Sequence, residues 1–331
     1  MRRVYNFFIV LTITILLFFL SLELAYRYQW IDFYQSELTA LNTKEDLLSN
    51  KKKILICGDS FSADPSAYVK TLRESLTNYA VINCAVSGTG IRQHELYLNN
   101  RIGTHNPDIF IYQFYVGNDL FDITHPHNSK DISLLRRFYW WLSDRMLSLG
   151  FLNFKLAVMR YNFFDDSGGS YKPRVHEEFS VEKYSKREKL NYVADPYLLE
   201  NTLFLKGQRK TDYETFEYKF DEIIKSLKDS TRKYLIIIPH QSQLSELYFN
   251  RHNKLGVLSS IPYYQYETEK IPLYQKLESY CKQNHITIID PVKEFRHAET
   301  LEQIYFSNDP HLKENGQYVV AKLLIDEINK Q

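Results

Sequence analysis

Cysteine is scarce. Only Cys57, Cys84 and Cys281 occur in 331 residues, too few and too scattered for a disulfide scaffold or a four-ligand zinc site. One disulfide at most can form, and a thiol is left over. An excess of either charge is also missing: 41 Lys and Arg against 40 Asp and Glu give a formal net charge of +1. No global field therefore draws in DNA or RNA, and nucleic acid is not an expected partner. Internal repeats and low-complexity segments are absent. With 44% hydrophobic and 24% charged residues, the chain has the composition of a globular protein rather than of a disordered or collagen-like one. Its length suits one large α/β domain plus additions.

What the chain does have is aromatic residues, 15% of the total, and one long uncharged stretch. From Val4 to Leu22 no charged side chain occurs, and the run is dense in Leu, Ile and Phe. At ~1.5 Å per residue it nearly matches a hydrocarbon core of ~30 Å. Arg2 and Arg3 precede it, so the positive-inside rule places the N-terminus in the cytoplasm and the rest outside. A cleaved signal peptide is the competing reading. Its apolar region is usually shorter, and the exit SLELAYRYQW offers no small-x-small site, which favours an uncleaved anchor over 1–28. A polar linker over 29–50 follows, and then a domain over 51–331.

In that domain, strand signals alternate with helical ones. Short apolar runs at 53–58, 81–84, 108–115, 234–238 and 287–290 read as five buried strands. Helical spacing appears at 67–76, 93–99, 272–284 and 313–328. The alternation predicts a parallel sheet with helices on both faces, and ligands in such sheets bind beyond the carboxyl ends of the strands. Between the third and fourth strands lies an insert of about 120–232. Its part at 132–164 reads as one or two amphipathic helices, and its part at 165–191 as polar loops. It is expected to cap the crevice and restrict the substrate, with Trp140 and Trp141 in the cap core; the alternative is an interfacial helix lying on the bilayer.

The residues just past the strands carry the chemistry. Gly58-Asp59-Ser60-Phe61 follows the first strand, where a serine hydroxyl faces the crevice and the next helix's amides can stabilise negative charge. The bland alternative for Ser60 is an N-cap. Ser87-Gly88-Thr89-Gly90 follows the second strand and offers backbone N–H groups. Gly117-Asn118-Asp119 follows the third and offers a side-chain amide. His311, in Asn308-Asp309-Pro310-His311, precedes the last helix. Several neighbours read as structure. Gly88-x-Gly90 lacks the third glycine of a dinucleotide fingerprint. Asp122, His125 and His127 read as rim residues rather than zinc ligands. Pro239-His240-Gln241-Ser242 edges the pocket, through substrate contacts or simple turn chemistry. Cys57 and Cys84, ending neighbouring strands, read as buried free thiols.

In this order the Ser, Gly, Asn and His blocks resemble the SGNH (GDSL-like) hydrolase superfamily over about 52–328. The resemblance implies a three-layer α/β/α fold with a five-stranded parallel sheet. It implies Ser60 as nucleophile, His311 as general base, and Gly88, Asn118 and the Ser60 amide as the oxyanion hole. It further implies hydrolysis or transfer of ester-linked acyl groups without metal or organic cofactor. One departure stands out: the family pattern Asp-x-x-His would put Asp at 308, which is Asn. Asp309, two residues before the histidine, is therefore expected to orient the ring, as the acid of a Ser-His-Asp triad does; a Ser-His dyad is the alternative. By layout, the expected substrate is an ester-bearing small molecule or an extracytoplasmic polysaccharide carrying O-acetyl groups. An O-acetyltransferase using the same residues, or a catalytically silent carbohydrate-binding or assembly factor, are the alternatives.

Overall fold

The computed structural model describes residues 2–164, 176–263, 270–297 and 304–330. Five strands form one sheet: β1 (Lys52–Cys57), β2 (Tyr79–Asn83), β3 (Ile109–Tyr115), β4 (Arg232–Ile238) and β5 (Ile286–Ile289). All neighbours pair in parallel, in the order β2-β1-β3-β4-β5. Each expected strand is present with its ends moved by at most two residues. The ladder decides the ends: β2 starts at Tyr79 because Tyr79 pairs with Lys52, although neither is apolar enough to signal a strand.

Successive strand residues point to opposite faces, and both faces are covered. Leu55, Phe110 and Leu235 pack on one side with residues of the helices Ile91–His105, Gln208–Lys225 and Pro272–Gln283. Ile54, Ile111 and Ile236 pack on the other with residues of Tyr68–Ser75, Val292–His297 and Glu314–Asn329. This is the expected three-layer α/β/α sandwich. The chain runs outward from β1 to β2 and then crosses back to β3, so the strand order reverses between β1 and β3. In doubly wound sheets a crevice opens at that switch point. Ser60 lies just past β1 and Asn118 just past β3.

The N-terminal helix runs Arg2–Arg27. Its segment Arg3–Arg27, whose most apolar 18-residue window has a mean hydropathy of 2.6, is long and apolar enough to cross a membrane by length and composition. The far end of this helix is bolted down. Glu23 is buried and its carboxylate accepts hydrogen bonds from the Leu147 amide at 3.1 Å, the Ser148 amide at 2.9 Å and the Ser148 hydroxyl at 2.7 Å. Those amides open the helix Leu147–Phe164, so Glu23 satisfies donors that have no partner within their own helix. The polar stretch after the anchor is more ordered than its composition predicts. It forms the helices Gln35–Leu41 and Lys44–Leu48, with Tyr34 and Leu38 buried and Asn42 bonded to the Asn83 backbone.

The insert differs from expectation in its second half. Two helices, Leu134–Ser143 and Leu147–Phe164, occupy its apolar part; Trp140 is buried as expected, whereas Trp141 is exposed and not part of the core. Residues 165–175 lie outside the described residues. The stretch expected as polar loops ends in a helix, Lys186–Ala194. The helix Gln208–Lys225 sets Phe216 and Phe220 against Tyr112, so it is the ordinary crossover to β4, and the added material is shorter than 120–232. Its sequence hides this role because Phe216 and Phe220 stand among Lys, Asp, Glu and Tyr.

Candidate active site

Three of the candidate residues meet in one hydrogen-bonded relay. Ser60 Oγ is 2.7 Å from His311 Nε2, and His311 Nδ1 is 2.5 Å from Asp309 Oδ1. With Nδ1–H donating to the carboxylate, Nε2 is free to accept the Ser60 O–H. The same Asp309 oxygen accepts the His311 amide at 2.9 Å, so the two-residue spacing closes into a tight turn that holds both ring and backbone. The ring lies 4.8 Å from that of Phe61. Burial works against charging the His311 ring, but the hydrogen bond and charge of Asp309, with Asp59 and Glu188 behind it, outweigh burial and hold its pKa above the ordinary histidine value.

The serine is presented by a turn. The helix after β1 starts only at Tyr68, with Ala67 at its N-cap, so Ser60 is neither a helix cap nor seated at a helix N-terminus, and the expected help from helix amides is missing. The turn is held from its side chains. Asp59 accepts the Phe61 amide at 3.0 Å, and Gln113 of β3 accepts the Asp59 amide at 3.1 Å. Gly58 is required for close approach, because a Cβ there would collide with the Gln113 side chain.

Gly88 and Asn118 flank this turn at the ends of β2 and β3. Gly88 has φ +73°, a left-handed conformation that favours glycine, and it is exposed. Asn118 donates one Nδ2 hydrogen to Asp122 Oδ2 at 3.0 Å, so the second hydrogen remains for the crevice. Arg187 Nη2 bonds the same Asp122 oxygen at 3.0 Å. Burial alone would raise the Asp122 pKa, but Arg187 and His125 hold it below the ordinary carboxylate value. His125 lies between Asp122, at 3.6 Å, and Asp144, at 2.6 Å, and His127 Nδ1 lies 3.2 Å from the His125 carbonyl. Among the described residues, no group of three His, Cys, Asp or Glu could hold a metal ion. Cys57 and Cys84 are buried free thiols.

Sequence reasoning missed what the insert contributes. Asn308 is fully buried; it donates to the Glu178 carbonyl at 2.8 Å and accepts the Ser180 amide at 2.7 Å. Its carbonyl accepts the Ser185 amide at 3.1 Å. The departure from the family pattern thus has a job: an amide side chain can do both, whereas a carboxylate could not donate. The helix beginning at Lys186 then brings Arg187 and Glu188 to the crevice. Burial, with Asp122 and Asp309 nearby, pushes the Glu188 carboxyl up to about 7, against Arg187 and His311. After β4, Gln241 donates to the Asp309 carbonyl at 2.8 Å, so this block serves turn chemistry. No apolar periodicity marks these residues; their partners lie far along the chain.

No family model and no curated protein matches the chain. Among solved structures, a lipase/acylhydrolase from Enterococcus faecalis is similar with a TM-score of 0.40 and 12% identity, over 85% of this chain and 96% of that one. An acetyl xylan esterase is similar with a TM-score of 0.40 and 14% identity, over 83% and 99%. An extracellular lipase from Streptomyces rimosus is similar with a TM-score of 0.41 and 11% identity, over 84% and 99%. At such distances the functional reading has to come from the site's own geometry.

Proposed function

We propose that this protein is a serine esterase that cleaves ester-linked acyl groups. The observation that carries the reading is the relay Ser60–His311–Asp309, at 2.7 and 2.5 Å, at the edge of the sheet where the strand order reverses. A serine hydroxyl is a weak nucleophile near neutral pH and needs a base within ~2.6–3.2 Å. In the proposed reaction Ser60 Oγ attacks the ester carbonyl carbon while its proton passes to His311 Nε2. Asp309 stabilises the resulting imidazolium without taking its proton. The carbonyl oxygen becomes an oxyanion and is met by the amides of Gly88 and Ser60 and by Asn118 Nδ2. Each such donor is typically worth ~2.7–4 kcal/mol in the transition state. Collapse expels the alcohol, which takes the proton from His311, and water then repeats the sequence to release the acid.

The finer reading is an extracytoplasmic enzyme, held by its N-terminal helix, acting on O-acetyl groups of a polysaccharide or smaller ester. It is supported by the apolar Arg3–Arg27 segment preceded by Arg2. Capture of the acyl-enzyme by a sugar hydroxyl instead of water needs no further group, so transfer stays a second outcome of the same site. The cleft beside Gly88, described below, gives an acceptor room to bind. The test is a chromogenic acetyl ester with the full chain in detergent, with and without Ser60→Ala. The parent should turn over and be labelled by an organophosphonate, and the variant should do neither. Activity within about tenfold of the parent in the variant would remove Ser60 from the mechanism.

A further inference from the structure

A second cavity opens beside the oxyanion loop. It measures about 330 Å³, the low end of small-molecule sites, and its walls are the Gly88–Gly90 loop, the two apolar insert helices and the helix Lys186–Ala194. Both acids that line it are already engaged. Asp122 serves Arg187 and Asn118. Asp144 accepts from the His125 ring at 2.6 Å and from the His125 amide at 3.0 Å. Arg92 is spent on the carbonyls of Ile123 and Asp144.

The groups left over are donors. Asn191 is 3% exposed, lines the cavity, and its Nδ2 has no hydrogen-bond partner among the described residues. An orphaned donor that deep is costly unless a ligand uses it. Arg136 is exposed at the cavity wall, with its guanidinium 5.6 Å over the Tyr139 ring and no carboxylate within ion-pair distance among the described residues. Arg187 is half exposed and stands against Gly88, whose added Cβ would sit 3.5 Å from Nη1. Such a cavity offers cationic and neutral N–H groups, carries no free acceptor charge, and has aromatic walls in Tyr139 and Trp140.

We infer that this cleft binds the alcohol portion of the substrate, or the acyl acceptor, through a phosphate or carboxylate group held by Arg136, Arg187 and Asn191. The assignment rests on the esterase reading for its place in the reaction, but binding needs no turnover. Planar guanidinium groups suit either oxyanion, and the aromatic walls suit a sugar ring.

The test is calorimetric titration of the full chain in detergent with three probes: methyl glucoside, methyl glucuronoside and methyl glucoside 6-phosphate. At least one anionic probe should bind about tenfold or more tightly than the neutral one, as one charged hydrogen bond requires, and binding should weaken with salt. Whichever anion binds better names the group. Arg136→Gln, at an exposed position that the fold does not need, should abolish the preference and leave hydrolysis of a small neutral acetyl ester unchanged. Equal binding of all three probes, no binding at millimolar concentration, or a preference that survives Arg136→Gln would overturn the assignment. Charge-selective binding without any esterase activity would uphold the cleft and defeat the esterase reading alone.

Discussion

Glu188→Gln isolates a carboxyl group that the fold keeps short of its preferred charge. Glu188 is buried, no hydrogen bond among the described residues engages its carboxylate, and its pKa is pushed up from 4.5 to about 7. Below 4.5 it is protonated whether the chain is folded or not. Between 4.5 and 7 the unfolded chain ionises it while the folded chain holds the proton, so the folded state is progressively disfavoured as pH rises. At ~1.36 kcal/mol per pKa unit, the loss reaches about 3 kcal/mol by pH 8. Glutamine has the same shape and never ionises, so the variant should gain about 3 kcal/mol on the parent between pH 4 and pH 8. Thermal melting of both proteins in detergent across that range should show near-equal midpoints at the acid end and a variant higher by several degrees at the alkaline end. The charge of Glu188 also helps hold the His311 pKa up. Its removal should therefore move the rising limb of kcat/KM to lower pH, since His311 must be neutral to accept the serine proton. A difference in melting that stays flat with pH would refute the burial argument.

Three further outcomes follow from the geometry. His311→Ala should cost nearly as much activity as Ser60→Ala, and Asp309→Ala less; unchanged kcat/KM and an unchanged pH profile in Asp309→Ala would mean the orienting acid has been misassigned. Asn308→Asp should cost about 2–4 kcal/mol of stability by setting a buried charge against the Glu178 carbonyl, which a denaturation midpoint below that of the parent would register. Glu23→Ala should strip three partners from the start of the Leu147–Phe164 helix and make the junction near Arg27 more sensitive to limited proteolysis, and unchanged cleavage would mean the helices hold together without it.

The sheet and the relay were legible because their signals are local. Each strand is a short apolar run, Ser60 sits one turn beyond such a strand, and His311 sits one turn before a helix that can be read from its own residues. Asp309 needed only the two residues that separate it from His311. The insert was read less well. Asn308 meets Glu178 and Ser180 from 130 and 128 positions away, and Arg187 finds Asp122 across 65. Such polar pairs leave no periodic trace in either segment, so a stretch that supplies charged groups to the crevice looks like a solvated loop. The bonds from Asn308 to Glu178 and Ser180 also mean that the insert is more than a cover. Pruning it would unmoor the turn that carries His311.

The embrace of Glu23 by Leu147 and Ser148 decides how the protein can reach its target. A catalytic domain on a slack tether sweeps a wide shell of solution and can meet a substrate at many heights and angles. Here the last turns of the apolar helix are welded to a wall of the cleft itself, since Leu147 both bonds Glu23 and lines that cavity. In a bilayer that the helix spans, the mouth of the crevice stands at one altitude and faces one way. On the esterase reading proposed above, searching then falls to the substrate, which is met only where its own diffusion carries the ester group past that fixed opening.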